Sequence, residues 1–168
     1  MSIAKSLLPE LAHEMSTTRK VLDRVPDGRS DWKPHAKSMT LGRLAQHLAT
    51  LPGWVQATMG QTELHMNPPG GAPYTPPVFE STASALATFD EHVKAGREAI
   101  AAAEDKDFMV PWTFKNADRT IFTMPRAAVL RSFVTNHIIH HRGQLSVYLR
   151  LNDVPVPSIY GPSADEAI

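Results

Sequence analysis

The sequence predicts an all-α fold, a four-helix bundle with long crossover connections, and three observations indicate it. Four segments of about 20 residues or more carry apolar side chains at helical spacing. Segments rich in proline and glycine separate them, and two of these connections are too long for tight turns. Histidines lie at the centres of two of the apolar stripes. Because amphipathic helices bury their apolar faces against each other, the pattern favours one bundle domain over residues 1–168.

The composition excludes several classes of protein. The chain has 168 residues, with 17 basic and 17 acidic side chains and no cysteine. The neutral charge argues against a nucleic-acid partner, and no apolar run of about 18 residues spans a membrane. We therefore expect a soluble, cytoplasmic protein. Disulfides and thiolate metal sites are excluded, so any metal ion must be held by nitrogen and oxygen.

The first two helices are predicted from their stripes and caps. Residues 2–24 read as a helix that Ser2 can cap, followed by a loop. Residues 40–59 read as the second helix, with His47 near the centre of its apolar stripe. The Pro52-Gly53 pair predicts a kink one turn later. Two residues can cap this second helix, Ser38 and Thr40.

The middle of the chain contains the third helix between two irregular connections. Residues 60–80 carry five prolines and three glycines and are predicted to form an extended crossover. Residues 81–103 read as the third helix, with Ser81 as its N-cap. In residues 104–123, two short apolar segments flank a turn-like sequence, which indicates a small β-hairpin.

The fourth helix is predicted over residues 124–151, with Pro125 in its first turn. At about 100° per residue, His137 and His141 lie on its inner face. Arg142 lies on the opposite face. It is expected to pair with a carboxylate of the tail, Asp165 or Glu166, or with a partner subunit.

Three histidines therefore converge in the predicted bundle. His137 and His141 are separated by one helical turn, and His47 faces them from the second helix. Three imidazoles can hold one divalent ion and leave a coordination position open, which is typical of catalytic sites. The spacing alone leaves an alternative open, in which the histidines are solvated or hydrogen-bonded in the core.

Three further residues are candidates for lining a pocket at these histidines. Gln144 and Tyr148 continue the same face of the fourth helix, and Trp54 lies on the inner stripe of the second. Core filling is the alternative role of Trp54. No carboxylate is expected beside the histidines, so the catalytic residues other than metal ligands stay unassigned.

Two segments of the chain resemble a known family. The fourth helix and tail read NHIIHHRGQLSVYLRLNDVPVPSIYGPSADE, and the second helix reads LGRLAQHLATLPGW. The first contains H-x-x-x-H-R-G-Q, then a tyrosine, a leucine-arginine pair and a proline-rich end. Together they resemble the signature of the DinB/YfiT-like superfamily, and segment order and length agree across nearly the whole chain.

The resemblance implies a four-helix bundle with a three-histidine site for a divalent metal, at His47, His137 and His141. Zinc, nickel, manganese and iron all suit such sites. Members of the family with known activities include bacillithiol transferases, a mycothiol-dependent isomerase and hydrolase-like proteins, and homodimers are common among them.

The sequence thus leads to a hypothesis for function and a rival. The first is a metal-dependent enzyme that activates a low-molecular-weight thiol or water for transfer to, or hydrolysis of, a small electrophilic substrate. The rival is a metal-binding stress-response protein without catalysis. A homodimer is expected in either case, from the resemblance.

Overall fold

The computed structural model describes residues 2–167 and is mainly helical, with one small sheet, as the sequence predicts. The helices are α1 (Ile3–Leu22), α2 (Leu41–Thr50), α3 (Gly53–Gly60), α4 (Thr82–Ala101), α5 (Asp105–Phe108), α6 (Arg126–Ala128) and α7 (Asn136–Leu151). The strands are β1 (Glu63–His65), β2 (Pro111–Asn116) and β3 (Arg119–Pro125). Buried side chains from α1, α2, α4 and α7 form a shared hydrophobic core between the long helices.

The predicted caps start the long helices. The hydroxyl of Ser2 accepts a hydrogen bond from the Lys5 amide, and that of Ser81 accepts one from Ser84. Thr40, one of the two candidates for the second helix, accepts a bond from the Arg43 amide at 3.2 Å. Each cap satisfies a backbone N–H that has no partner within its helix. The cap at Thr40 fixes the start of α2, two turns before His47.

The predicted kink is a break between α2 and α3. Leu51 and Pro52 separate the two helices, because proline lacks the amide hydrogen that the helical ladder needs. The α4 helix crosses this region at Gly96. A Cβ atom there would lie 3.0 Å from Cβ of Val55, so glycine permits the close approach. The break leaves Trp54 at the start of a separate helix.

The predicted hairpin is confirmed, and it belongs to a larger sheet. The β2 and β3 strands pair antiparallel, with Phe114 opposite Phe122. The β1 strand pairs parallel to β2, which the sequence did not predict. Parallel pairing joins Leu64 to Phe114, 50 residues apart, and a local pattern of three residues carries no signal for it. The crossover is thus tied to the hairpin.

The fourth helix runs from Arg126 to Leu151 but is not uniformly α-helical. Pro125 is the N-cap rather than a first-turn residue, and a π-helical segment covers Val129–Thr135 between α6 and α7. The uniform rotation assumed for residues 124–151 therefore fails before Asn136. His137 and His141 lie in the regular part, α7, so their one-turn spacing is retained.

The interpretation of Arg142 was wrong. Its side chain is 1% exposed and forms an ion pair with Glu14 of α1, with Nη1 and Oε2 at 2.8 Å. The tail carboxylate of Asp165 pairs with Arg150 instead. The cause is that α7 packs against α1 as well as α2, so two of its faces are covered, and Ile138 is fully buried as well.

No helix within residues 2–167 combines the length and hydropathy needed to cross a lipid bilayer.

Candidate metal centre

Two helices bring three histidines together in the bundle. His47 is in the last turn of α2, and His137 and His141 are in the first half of α7. The α2 and α7 helices pack directly against each other. His141 is 8% exposed, and the other two rings are partly buried. The sequence prediction that these side chains converge is therefore confirmed in the structure.

The ring nitrogens are close enough to share one ion. Nε2 of His47 and Nε2 of His137 are 3.4 Å apart. One nitrogen from each of the three histidines lies within 4.8 Å of the others. The ring of His141 has its centroid 4.6 Å from that of each of the other two. Within residues 2–167 this is the one group of three or more metal-binding side chains, and no carboxylate belongs to it.

This donor set fits a divalent ion. Two imidazole nitrogens bound to one tetrahedral zinc at about 2.0–2.1 Å are separated by about 3.3 Å, which matches the His47–His137 distance. Gln144 determines the tautomer of His141, because its Oε1 accepts a hydrogen bond from Nδ1 at 2.7 Å. Nε2 of His141 then keeps its lone pair for a metal. Such an orienting partner is typical of metal-binding histidines.

The electrostatics keep the three rings neutral. Burial lowers the pKa of His47 to about 4, and the neighbouring His141 and His137 act in the same direction. Burial likewise lowers the pKa of His137 to about 4, with His141 and His140 adding to it. Burial also lowers the pKa of His141. Neutral imidazole is the form that binds metal, so at pH 7 protons do not compete for the site.

A cleft of about 460 Å³ opens beside His47. Side chains of α2 and α3 form one wall, and the crossover between β1 and α4 forms the other. Its lining consists of Met39, Arg43, Gln46, His47, Thr50, Trp54, Met66, Tyr74, Pro76 and Pro77. A small molecule in this cleft would lie next to the histidine cluster, and the volume suits one.

An aromatic cluster borders the histidines on the side of the sheet. The ring of Phe133 lies 5.1 Å from Trp54 and 5.8 Å from His137, measured between centroids. Trp112 is fully buried in this cluster, and its ring centroid lies 6.5 Å from that of Trp54. The remaining members are Phe114 and Phe122. These rings form an apolar wall on one side of the histidine cluster and exclude water there.

The predicted pocket residues have different positions. Trp54 lines the cleft. Gln144 contacts His141 and is otherwise exposed. Tyr148 is not a lining residue, but its hydroxyl donates to the carbonyl of Met39, which is, at 3.3 Å, and its ring packs edge-on against Trp32. Sequence reasoning missed Arg43 and Gln46, although both lie within one turn of His47 on the same helix.

The other histidines lie outside the group. His140 is exposed, and its ring contacts that of His141 at 4.9 Å between centroids. The rest are distributed over α1, a loop, β1 and α4: His13, His35, His65 and His92. The candidate site is thus defined by the three histidines that lie close together, and not by the number of histidines in the chain.

Sequence comparison identifies the family. The model described as "DinB family" matches residues 1–167. The chain belongs to the DinB family. A DinB relative at 28% identity is the uncharacterized protein YrdA of Bacillus subtilis (strain 168), aligned over 157 residues, which is 91% of this chain and 85% of that protein.

Solved structures agree with this assignment. A DinB-like protein from Bacillus cereus ATCC 10987 is similar with a TM-score of 0.73 and 26% identity, over 95% of this chain and 98% of that one. The DinB-like protein YjoA from Bacillus subtilis has a TM-score of 0.66 and 14% identity, over 97% and 99% of the two chains. The second likeness concerns the fold alone. The DinB fold and the three-histidine group therefore occur together in this chain.

Proposed function

We propose that this DinB protein is a metal-dependent enzyme that activates a small thiol or a water molecule. The activated group is transferred to a small electrophilic substrate, or hydrolyses it. The observation that carries the proposal is the cluster of three neutral histidines beside an accessible cleft. A divalent ion held there would act as a Lewis acid and lower the pKa of a bound water or thiol.

The protein's own residues have separate roles in this proposal. His47, His137 and His141 hold the ion, which is zinc, nickel, manganese or iron. Gln144 orients His141 through their hydrogen bond of 2.7 Å. Trp54 provides an apolar wall of the cleft that excludes water from the reacting groups. We assign no separate general base, because no carboxylate in residues 2–167 belongs to the cluster.

The open side of the cluster distinguishes an enzyme from a storage site. Three protein ligands leave at least one position for substrate, whereas a structural zinc site normally has four protein ligands. A non-catalytic metal-binding protein of the stress response is the second candidate. It is favoured if the ion binds but the cleft accepts no substrate.

The first test is the metal content of tag-free protein. We expect about one divalent ion per chain in the wild type and none in His137→Ala/His141→Ala. The matched control is His13→Ala/His35→Ala, which removes two histidines outside the cluster and should keep the ion. Elemental analysis measures the ratio, after reconstitution with each of the four metals. A double variant at the cluster that retains its metal would refute the site.

Activity assays then separate the two candidates. Metal-loaded protein is incubated with a small thiol and an electrophile such as a chlorinated nitrobenzene, and separately with activated esters. Turnover that disappears with chelator and in the cluster variant supports the enzyme. Full metal occupancy without turnover in either assay favours the binding protein.

A homodimer and a cytoplasmic location are further parts of the proposal. Val147 and Leu151 are one turn apart on α7, and each is 56% exposed. An apolar stripe of this kind suits a contact between two copies. Sedimentation of the wild type and of Val147→Glu/Leu151→Glu tests it, with a monomeric wild type as the contradicting result.

A further inference from the structure

The cleft beside the histidines contains two long polar side chains of α2 that the proposed metal chemistry does not use. Arg43 precedes His47 by four residues, so the two side chains are neighbours on one face of the helix. Gln46 lies between them in sequence, three residues after Arg43. All three line the same cleft.

Arg43 is a cation without an acidic partner. Its side chain is exposed, and within residues 2–167 it forms no ion pair, whereas Arg19, Arg142 and Arg150 each contact a carboxylate. Arg43 lies one helical turn from His47, so its charge is close to the proposed metal site. A fixed positive charge beside a site for a divalent cation is unfavourable by itself. An anionic ligand between the two would remove this repulsion.

Gln46 is a second polar side chain of this cleft. The residue is 5% exposed, and its amide atoms are not among the enclosed side-chain atoms that lack a hydrogen-bond partner. Because Gln46 belongs to the cleft lining, its amide reaches the cleft and can bond to a ligand there.

The remaining lining determines the rest of the ligand. Met39, Trp54 and Met66 are apolar, and Pro76 and Pro77 of the crossover add to them. This wall offers apolar contact to a ligand body, while the polar pair is confined to α2.

We propose that the substrate or co-substrate of this site carries an anionic head group, a carboxylate or a phosphate, on an apolar body. Arg43 binds the head group through charge-assisted hydrogen bonds, and the Gln46 amide donates a further one. The apolar body lies along Trp54, and the reacting end reaches His47. This inference rests on the proposed function, since it places the reacting end at the metal site.

The test uses three probes that share an apolar body. They are 3-phenylpropionate, its neutral amide 3-phenylpropionamide, and 2-phenylethyl phosphate. Titration calorimetry measures their affinities for the zinc-reconstituted full chain and for the chelator-treated chain. We expect the wild type to bind one or both anions at least about tenfold more tightly than the amide, an advantage that falls as salt is raised. The better anion identifies the head group.

Variants assign this preference to the two residues. Arg43→Gln should lower anion affinity about tenfold and leave the amide unaffected, and Arg43→Lys should keep part of the preference. Gln46→Glu should lower the affinity for both anions, because the introduced carboxylate repels them. Arg97→Gln is the matched control, because Arg97 is exposed on α4 and lies outside the cleft lining. It should bind all three probes as the wild type does.

Two results would overturn the inference. One is an anion preference that survives in Arg43→Gln, which would mean that the anion binds the metal directly. The other is a wild-type protein that binds the two anions and the amide with equal affinity, or that binds none of the three probes. Metal content, measured on the same samples, tests the proposed function separately. If the protein takes up no metal but still shows an anion preference that depends on Arg43, the anion site is supported and the proposed metal-dependent enzyme is refuted.

Discussion

The two sides of α7 each bury a polar cluster, and the clusters differ in how their bonds are completed. Toward α1, Arg142 meets Glu14 at 2.8 Å and also donates to the Glu14 carbonyl and the Thr18 hydroxyl. Tyr160 of the tail donates to Glu14 at 2.8 Å. Every charge on this side has a partner within the chain.

Toward α2, the histidines face one another instead. The nitrogens of His47 and His137 approach to 3.4 Å, and no acidic side chain in residues 2–167 joins them. The two clusters differ in the way that distinguishes a polar cluster buried for stability from one buried for function. A polar cluster that completes its own bonds holds the fold together, and one whose lone pairs converge on a common point is suited to an external ion.

The largest expected effect is on the structural side. Arg142→Leu leaves the Glu14 carboxylate buried without its cation, so the free energy of unfolding should fall by about 3–5 kcal/mol. Urea denaturation measures it. Arg150→Leu is the control, because its ion pair with Asp165 is exposed and should contribute little to stability.

The double variant Glu14→Leu/Arg142→Leu should recover part of that loss, since no buried charge remains. Equal losses in Arg142→Leu and Arg150→Leu would contradict the comparison.

On the functional side, Gln144→Leu removes the acceptor that fixes the tautomer of His141. Metal affinity should fall about 10–100-fold, while the stability of the metal-free protein changes little. Competition with a chromophoric chelator measures the affinity. Gln56→Leu, at an exposed position of α3, should bind metal as the wild type does. If the two variants are indistinguishable, Gln144 does not orient the ligand.

The histidine cluster also predicts a pH dependence of the metal-free protein. The folded pKa of His47 and His137 is about 4, below the unfolded value of about 6.5. The unfolded chain therefore binds more protons between these values, and stability should fall as the pH drops from 6.5 to 4. Thermal melts in chelator measure it. His47→Asn/His137→Asn should show a flatter profile in that window, and an unchanged slope would refute the assignment.

The smallest expected effect is that of Tyr160→Phe. It removes the hydroxyl that joins Glu14 and Arg142 but leaves the ion pair, so the loss should be about 1 kcal/mol. Denaturation in urea measures it, and metal content should stay at the wild-type value. A loss as large as that of Arg142→Leu would mean that the tail, rather than the ion pair, holds α1 against α7.

Much of this molecule was predictable because its signals are local. The caps at Ser2 and Ser81 and the break at Pro52 depend on residues within a few positions of one another, and all three occur. The spacing of His137 and His141 survives because both lie after the π-helical segment. The hairpin was found for the same reason, since its strands are adjacent in sequence.

The failures concern contacts between distant segments. The β1 strand depends on β2 50 residues later, and three residues in a proline-rich crossover give no local indication of it. Arg142 was assigned to the tail or to a partner subunit because a single helical wheel has one inner face. Its partner Glu14 lies 128 residues away on α1.

By itself, the sequence determined the helices, their caps, the absence of thiolate ligands and the three histidines at helical spacing. These follow from backbone geometry and side-chain chemistry within short segments. Only the tertiary structure decided that His47 approaches His137 to 3.4 Å, that Arg43 and Gln46 share a cleft with His47, and that Arg142 pairs with Glu14 of α1. The physical reason is that packing, and not periodicity, determines which faces of neighbouring helices meet.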